Sequence, residues 1–175
     1  MSDIDVAVVE RVAQTVILDE LWPLYRTVFE DFDDLDTWRE QVWDRHSARA
    51  GFRVAFARTD RRLVGFGYGY TGERGQWWTD TAATVLPPPV ASDWLGGHFE
   101  LVSIGVDETR RGTGVGRRLL SALTDGLDQP RWMLMTSSDP DDPARRLYRS
   151  TGWAVIGPGL SDKQVIMGRA WPTKP

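Results

Sequence analysis

Cysteine is absent from the 175 residues, which removes disulfides, thiolate metal sites and a cysteine acyl-enzyme together. Histidine is nearly absent: His46 and His98 are the two in the chain. A His-rich metal site is therefore not expected, and a Ser-His-Asp triad would have to use one of them. No apolar run approaches the roughly 18 residues that a membrane helix needs. The opening Met-Ser-Asp-Ile-Asp carries acid where a leader would carry base, and it lacks an apolar stretch. A cytoplasmic protein without membrane contact is therefore expected. A positive balance is missing as well. The formal charge is −4 and the pI near 5.2, opposite in sign to a broad nucleic-acid footprint.

What remains reads as one globular domain over residues 1–175, with 41% apolar and 26% charged residues and enough length for a core of its own. "IDVAVV" (4–9) alternates as a first strand. "LDELWPLYRTVFEDF" (18–32) places Leu18, Leu21, Trp22, Tyr25, Val28 and Phe29 at helical spacing, with Pro23 tolerable only near the first turn. "LDTWREQVWDRHSARAG" (35–51) predicts a second helix, with Asp36 as its N-cap, Trp38, Val42 and Trp43 facing inward, and Gly51 as its stop.

The period then changes to two. "FRVAFAR" (52–58) and "RLVGFGYGY" (62–70) flank Thr59-Asp60-Arg61 as a hairpin. Val64, Phe66, Tyr68 and Tyr70 share one face of the second strand. Gly65, Gly67 and Gly69 line the other, a pattern that invites close approach by another backbone or a ligand. Residues 71–97 are too long for an idle connection, and "TDTAATVL" predicts one short helix stopped by Pro87-Pro88-Pro89. "HFELVSIGV" (98–106) and "RWMLMTS" (131–137) read as buried strands. Residues 115–127 form an amphipathic helix through Val115, Leu119, Leu123 and Leu127. "DPARRLYRSTG" (142–152) is a helix with Asp142 as cap, Pro143 at the first position and Gly152 as stop. "WAVIG" and "KQVIMGRA" supply two closing strands. The order predicts an α/β (α+β type) fold: a mixed, mostly antiparallel sheet of six to seven strands with a central parallel pair and helices on both faces.

One stretch resists a purely structural account. In "ETRRGTGVGRRLL" (108–120), Arg110, Arg111, Arg117 and Arg118 crowd the positive pole of the 115–127 helix, where cations are disfavoured by roughly 0.3–1 kcal/mol each. Glycine in a helical first turn costs about 1 kcal/mol more relative to alanine. Both penalties reverse when an anion docks there, because free amides point at it, Gly112, Gly114 and Gly116 let it approach, and the arginines neutralise it. A P-loop would need a lysine that is missing, and a dinucleotide fingerprint would need glycine at 117.

Arg111-x-x-Gly114-x-Gly116 after a strand ending Ile104-Gly-Val106 resembles motif A of the GNAT superfamily of acyl-CoA N-acyltransferases. "ARRLYRSTGW" (144–153) resembles a second segment of that family, A-x-x-L-Y-x-x-x-G-F, with Ala144, Leu147, Tyr148 and Gly152 in place and Trp153 for the usual phenylalanine. The likeness covers roughly residues 98–157. It implies acetyl-CoA as co-substrate, no metal, and a coenzyme held by Ile104, Val106, Arg111, Gly112, Thr113, Gly114, Val115, Gly116, Arg117, Asp141 and Ala144. Asp141 stands where the family often has asparagine.

The resemblance also implies roles for the strand before the motif. Glu100, on a buried strand that raises a carboxylate's pKa, is expected as general base or as anchor for a cationic amine. Tyr148 is expected as general acid for the departing thiolate, and the Val106 amide as oxyanion donor. His98 shares the Glu100 face by alternation and, standing beside Gly96-Gly97, is expected exposed and close to substrate. Trp77, Trp78 and Trp94 are candidate linings of an acceptor pocket, with Asp80 and Asp93 as minor amine partners, whereas Arg145, Arg146 and Arg149 read as a solvated face. The expected function is acetyl transfer to a primary amine of a small molecule or to an exposed amino group. A non-catalytic acyl-CoA sensor on the same fold is the alternative. A homodimer through an edge strand near the C-terminus is the expected assembly.

Overall fold

The computed structural model describes residues 4–10, 14–60 and 62–170. Arg61, in the predicted hairpin turn, lies outside them. Seven strands form one sheet: β1 (Asp5–Val9), β2 (Arg53–Thr59), β3 (Arg62–Gly72), β4 (His98–Val106), β5 (Arg131–Ser137), β6 (Ala154–Pro158) and β7 (Gln164–Ala170), in the order β1-β2-β3-β4-β5-β7-β6. β4 and β5 are parallel through Phe99↔Trp132 and Glu100↔Met133. β1–β2, β2–β3, β5–β7 and β6–β7 are antiparallel. This is the predicted mixed sheet with its parallel pair. The anticipated edge strand is β6, where Val155 is exposed and a register shift at Val155/Gly157 and Pro158 interrupt the ladder.

The chain divides into two compact units, residues 1–70 with 103–125, and residues 71–102 with 126–175. In the first, α1 (Gln14–Phe29) starts earlier than expected and holds Pro23 in its interior. The proline removes one i→i−4 bond, and the Thr27 hydroxyl donates to the Pro23 carbonyl at 2.8 Å. The predicted 35–51 helix is broken into α2 (Leu35–Trp38), a π-helical turn (Arg39–Trp43) and α3 (Asp44–Ser47). Its cap is Asp34, which accepts from the Thr37 amide, and not Asp36. The wider π turn buries Trp38 and Trp43 completely and leaves Val42 half-buried.

Trp43 meets Tyr68 of β3 edge-on at 5.6 Å and Tyr25 lies 6.0 Å from Phe66, centroid to centroid, with Trp38 packed between Trp43 and Tyr25. The opposite, glycine face is covered by α6 (Val115–Thr124): a Cβ on Gly65 would lie 2.9 Å from Val115 Cγ1, and one on Gly67 2.9 Å from Leu123 Cδ1. The close approach expected there is therefore made by side chains of a helix. α6 stops at Thr124, one turn short of Leu127, with Gly126 at φ +69° beyond it.

In the second unit the 71–97 segment carries two helices, α4 (Trp77–Val85) and α5 (Pro88–Trp94). The prolines end the first and, at the permissive first positions, begin the second. Together these helices bury Trp78, Ala82, Leu86, Ala91 and Leu95 against Met133 and Ile166. α7 (Pro143–Ser150) is capped as predicted, Asp142 accepting from the amides of Ala144 and Arg145. Tyr148 of α7 packs on Trp153, which packs on Trp132. Met133 faces α4 and α5, and its neighbour Trp132 faces the α7 side, so the two helix layers of this unit lie on opposite faces.

Candidate active site

In the first unit the chain leaves β4 at Val106 and makes a 3-10 turn over Glu108–Arg110, capped by Asp107, whose carboxylate accepts from the Thr109 amide and hydroxyl. Those bonds, more than the nearby Arg62 and Arg110 charges, hold the Asp107 carboxyl below its usual range. Arg62 pairs with the same carboxylate at 2.8 Å. The Arg111 Nε–H reaches back to the Val106 carbonyl at 3.4 Å.

Gly112 and Gly114 sit at φ +74° and +88°, and a Cβ at either would meet nothing within 4 Å. Gly114 is the N-cap of α6. Arg111, Gly112, Thr113, Gly114 and Arg117 are exposed. Val115 is buried and anchors the helix. The Arg111 and Arg118 amides are used, by the Glu108 and Gly114 carbonyls. By helix geometry the amides of Val115 and Gly116 fall in the first turn of α6, where no intrahelical acceptor is offered.

The left-handed Gly112 and Gly114 leave open space on their side-chain side of the loop, at the helix start where first-turn amides lack intrahelical acceptors. That geometry fits a diphosphate. A cleft of about 350 Å3, lined among others by Asp19, Glu20, Arg62 and Asp107, opens in the same unit and touches this loop at Asp107.

The second unit holds the two candidate proton-transfer groups. Glu100 is 4% exposed and stands in register with Met133, on the face covered by α4 and α5. Tyr148 is buried on the α7 face. Burial, and after it the Asp142 charge, push its hydroxyl pKa well above the usual tyrosine value. The two groups therefore stand on opposite faces of the sheet in this unit.

His98 departs from expectation. It is fully buried, with its ring 6.0 Å from Trp78. Burial first, then the Arg74 charge, hold its pKa down to about 4. Gly72 explains the burial: any Cβ there would collide with the imidazole. Nothing local in the sequence marks a glycine 26 positions upstream as its partner.

The remaining candidates separate by environment. Trp77 is 70% exposed. Trp78 belongs to the apolar cluster, and Trp94 packs against it and lies under the Arg131 guanidinium at 5.3 Å. Asp80 accepts from the Gly75 amide, and Asp93 pairs with Arg131 at 3.2 Å. Asp141 is exposed with its amide on Asp139, and the Ala144 amide is taken by its cap Asp142. Ile104 and Val106 are half-buried on β4. Arg146 and Arg149 are exposed, as expected, whereas Arg145 donates to the Ser138 carbonyl. Among the described residues no group of acidic, His or Cys side chains could hold a metal ion, and no helix is long and apolar enough to cross a membrane.

The family model described as "Acetyltransferase (GNAT) family" matches residues 16–153, and the chain belongs to that family. It is 31% identical over 122 residues to a GCN5-like protein acetyltransferase of Mycobacterium tuberculosis, covering 63% of this chain and 59% of the relative. The chain thus spans less than two thirds of that relative's length. The fold is also that of the ribosomal-protein-S18-alanine N-acetyltransferase from Escherichia coli (TM-score 0.66, 14% identity, 99% and 97% of the two chains). A further match is an N-acetyltransferase from Thermoplasma acidophilum solved in complex with coenzyme A (TM-score 0.60, 11% identity, 95% and 99% of the two chains).

Proposed function

We propose that the chain moves an acetyl group from acetyl-CoA directly to a primary amine, on a small molecule or exposed on a protein. The observation that carries this reading is the open, glycine-lined start of α6, where Gly112 and Gly114 are left-handed and Gly114 is the N-cap. It supports a site for the coenzyme's diphosphate, with the Arg111 and Arg117 charges beside it. Ile104, Asp141 and Ala144 are proposed neighbours of the coenzyme's arm. The coenzyme would supply an activated acyl thioester.

The chain's own residues divide the remaining work. Glu100 takes the proton the amine must shed, as the C–N bond forms and the C–S bond breaks. The Val106 amide donates to the carbonyl oxygen as negative charge develops there. Tyr148 donates to the departing sulfur. Its raised pKa keeps it protonated and makes it a donor that shares its proton rather than one that releases it to water. Trp77, exposed at the start of α4, is the proposed platform for a cationic acceptor.

The test is thiol release from acetyl-CoA across a panel of aminoglycosides, polyamines, amino acids and peptides. Amine-dependent release is expected, and Tyr148→Phe should lower kcat about 100-fold while leaving coenzyme affinity within about two-fold. Coenzyme binding without release from any amine would make the chain an acyl-CoA sensor instead.

A further inference from the structure

The imidazole of His98 is completely buried, yet one of its nitrogens has no work in the fold. The Gly96 amide donates to Nδ1 at 3.1 Å, so Nδ1 carries a lone pair. Burial keeps the ring neutral at working pH, and the ring proton therefore resides on Nε2. That N–H has no acceptor among the described residues. Leaving a buried donor unmatched is costly, and the sequence accommodates it deliberately, with Gly72 at the end of β3 making room for the ring.

The surroundings of the ring are Gly72 from β3 and Trp78 from α4, and the charge that reaches it is Arg74. Two residues along the same face stands Glu100, about 6–7 Å away along the strand, with Met133 of β5 in register beside it. One water spans such a separation. Thr79, next to Trp78 on α4, is fully buried too, and its hydroxyl is a second polar group without a hydrogen-bond partner among the described residues. Buried waters typically satisfy polar groups that the protein leaves unmatched.

We propose that the His98 Nε2–H anchors a buried water whose own hydrogen is donated to the Glu100 carboxylate, making His98 a positioning residue for that carboxylate. The ring orients and does not relay, because Nδ1 is already occupied by the Gly96 N–H. The catalytic consequence rests on Glu100 being the base. The hydrogen bond itself does not, and it can be tested without turnover.

The experiment is a 13C NMR titration of glutamate carboxyls in the full chain, with the Glu100 signal assigned through Glu100→Gln. His98→Asn keeps an acceptor for the Gly96 amide but withdraws the donor from the Nε2 position. His98→Gln does the reverse, and Gly72→Ala pushes the ring aside. The Glu100 midpoint should rise by about one pH unit in His98→Asn and Gly72→Ala, and return to within about 0.3 of wild type in His98→Gln. A wild-type crystal structure should show a water within hydrogen-bond distance of both Nε2 and Glu100. An unchanged midpoint in His98→Asn, equal shifts in the Asn and Gln variants, or no water at that place would overturn the proposal. Full thiol release by Glu100→Gln together with the expected titration would instead remove the base assignment and leave the hydrogen bond standing.

Discussion

At the scale of single residues, burial decides what each titratable group can do. His98 and His46 both have folded pKa values of about 4, set first by burial. The unfolded chain binds protons at these residues below about pH 6.5, where the folded chain refuses them. Their contribution to stability is therefore complete above pH 6.5 and is lost as pH falls toward 4. Asp107, whose pKa is lowered from 3.8, acts only at more acid pH, and running the titration in Glu100→Gln isolates the histidines from the buried carboxylate. Urea unfolding should show the free energy falling between pH 7.5 and 5, by about 2 kcal/mol from His98 and somewhat less from the less buried His46. A flat profile over that range would show that the rings take up protons in the folded state as readily as in the unfolded one. Tyr148 lies at the other end of the same logic, since burial that raises its pKa preserves the proton it is proposed to share.

At the scale of elements, short pieces are held in place by a few contacts each. α7 has eight residues, too few to persist alone. Asp142 satisfies two of its first amides. Asp142→Ala should cost about 1 kcal/mol of stability, read as a lower urea midpoint, and should loosen Tyr148. Unchanged stability would show that packing of Tyr148 on Trp153 suffices. The glycine face of β3 makes the complementary case. Gly65→Ala would press a methyl into Val115 and Leu119, with an overpacking cost of about 1–3 kcal/mol. Because Val115 opens α6, that pressure falls on the helix end proposed to meet the coenzyme. Sequence periodicity exposed most of these elements: the alternation of β2, β3 and β4, the cap and proline of α7, and the apolar stripe of α6. It failed where a local rule met a tertiary one. Pro23 sits inside α1, and Pro88-Pro89 start a helix where a stop was expected. The 35–47 segment widens into a π turn to seat two tryptophans.

At the scale of the molecule, the legible part of the candidate site was the part built from contiguous residues. Arginines and glycines in an unfavourable place at a helix start pointed to an anion because the penalty and its remedy are both local. Glu100 could be placed on a buried strand for the same reason. The environment of His98 was not legible, because the glycine beneath it and the helix above it come from distant sequence. Trp78 and Trp94 read alike with Trp77 in sequence, and tertiary packing alone separates them. The family membership and the glycine-lined start of α6 are the two supports of the proposed coenzyme-dependent transfer. The acceptor depends on features that the family's shared motifs do not encode.

The most direct measurement is calorimetric titration of acetyl-CoA into the wild-type chain and into the Arg111→Ala/Gly114→Ala variant, with urea unfolding run alongside. Removing a cation and placing a methyl at the start of α6 should weaken binding by at least about 100-fold, while the variant stays folded. Equal affinity in the two proteins would contradict a diphosphate at residues 112–117, and with it the proposed reaction.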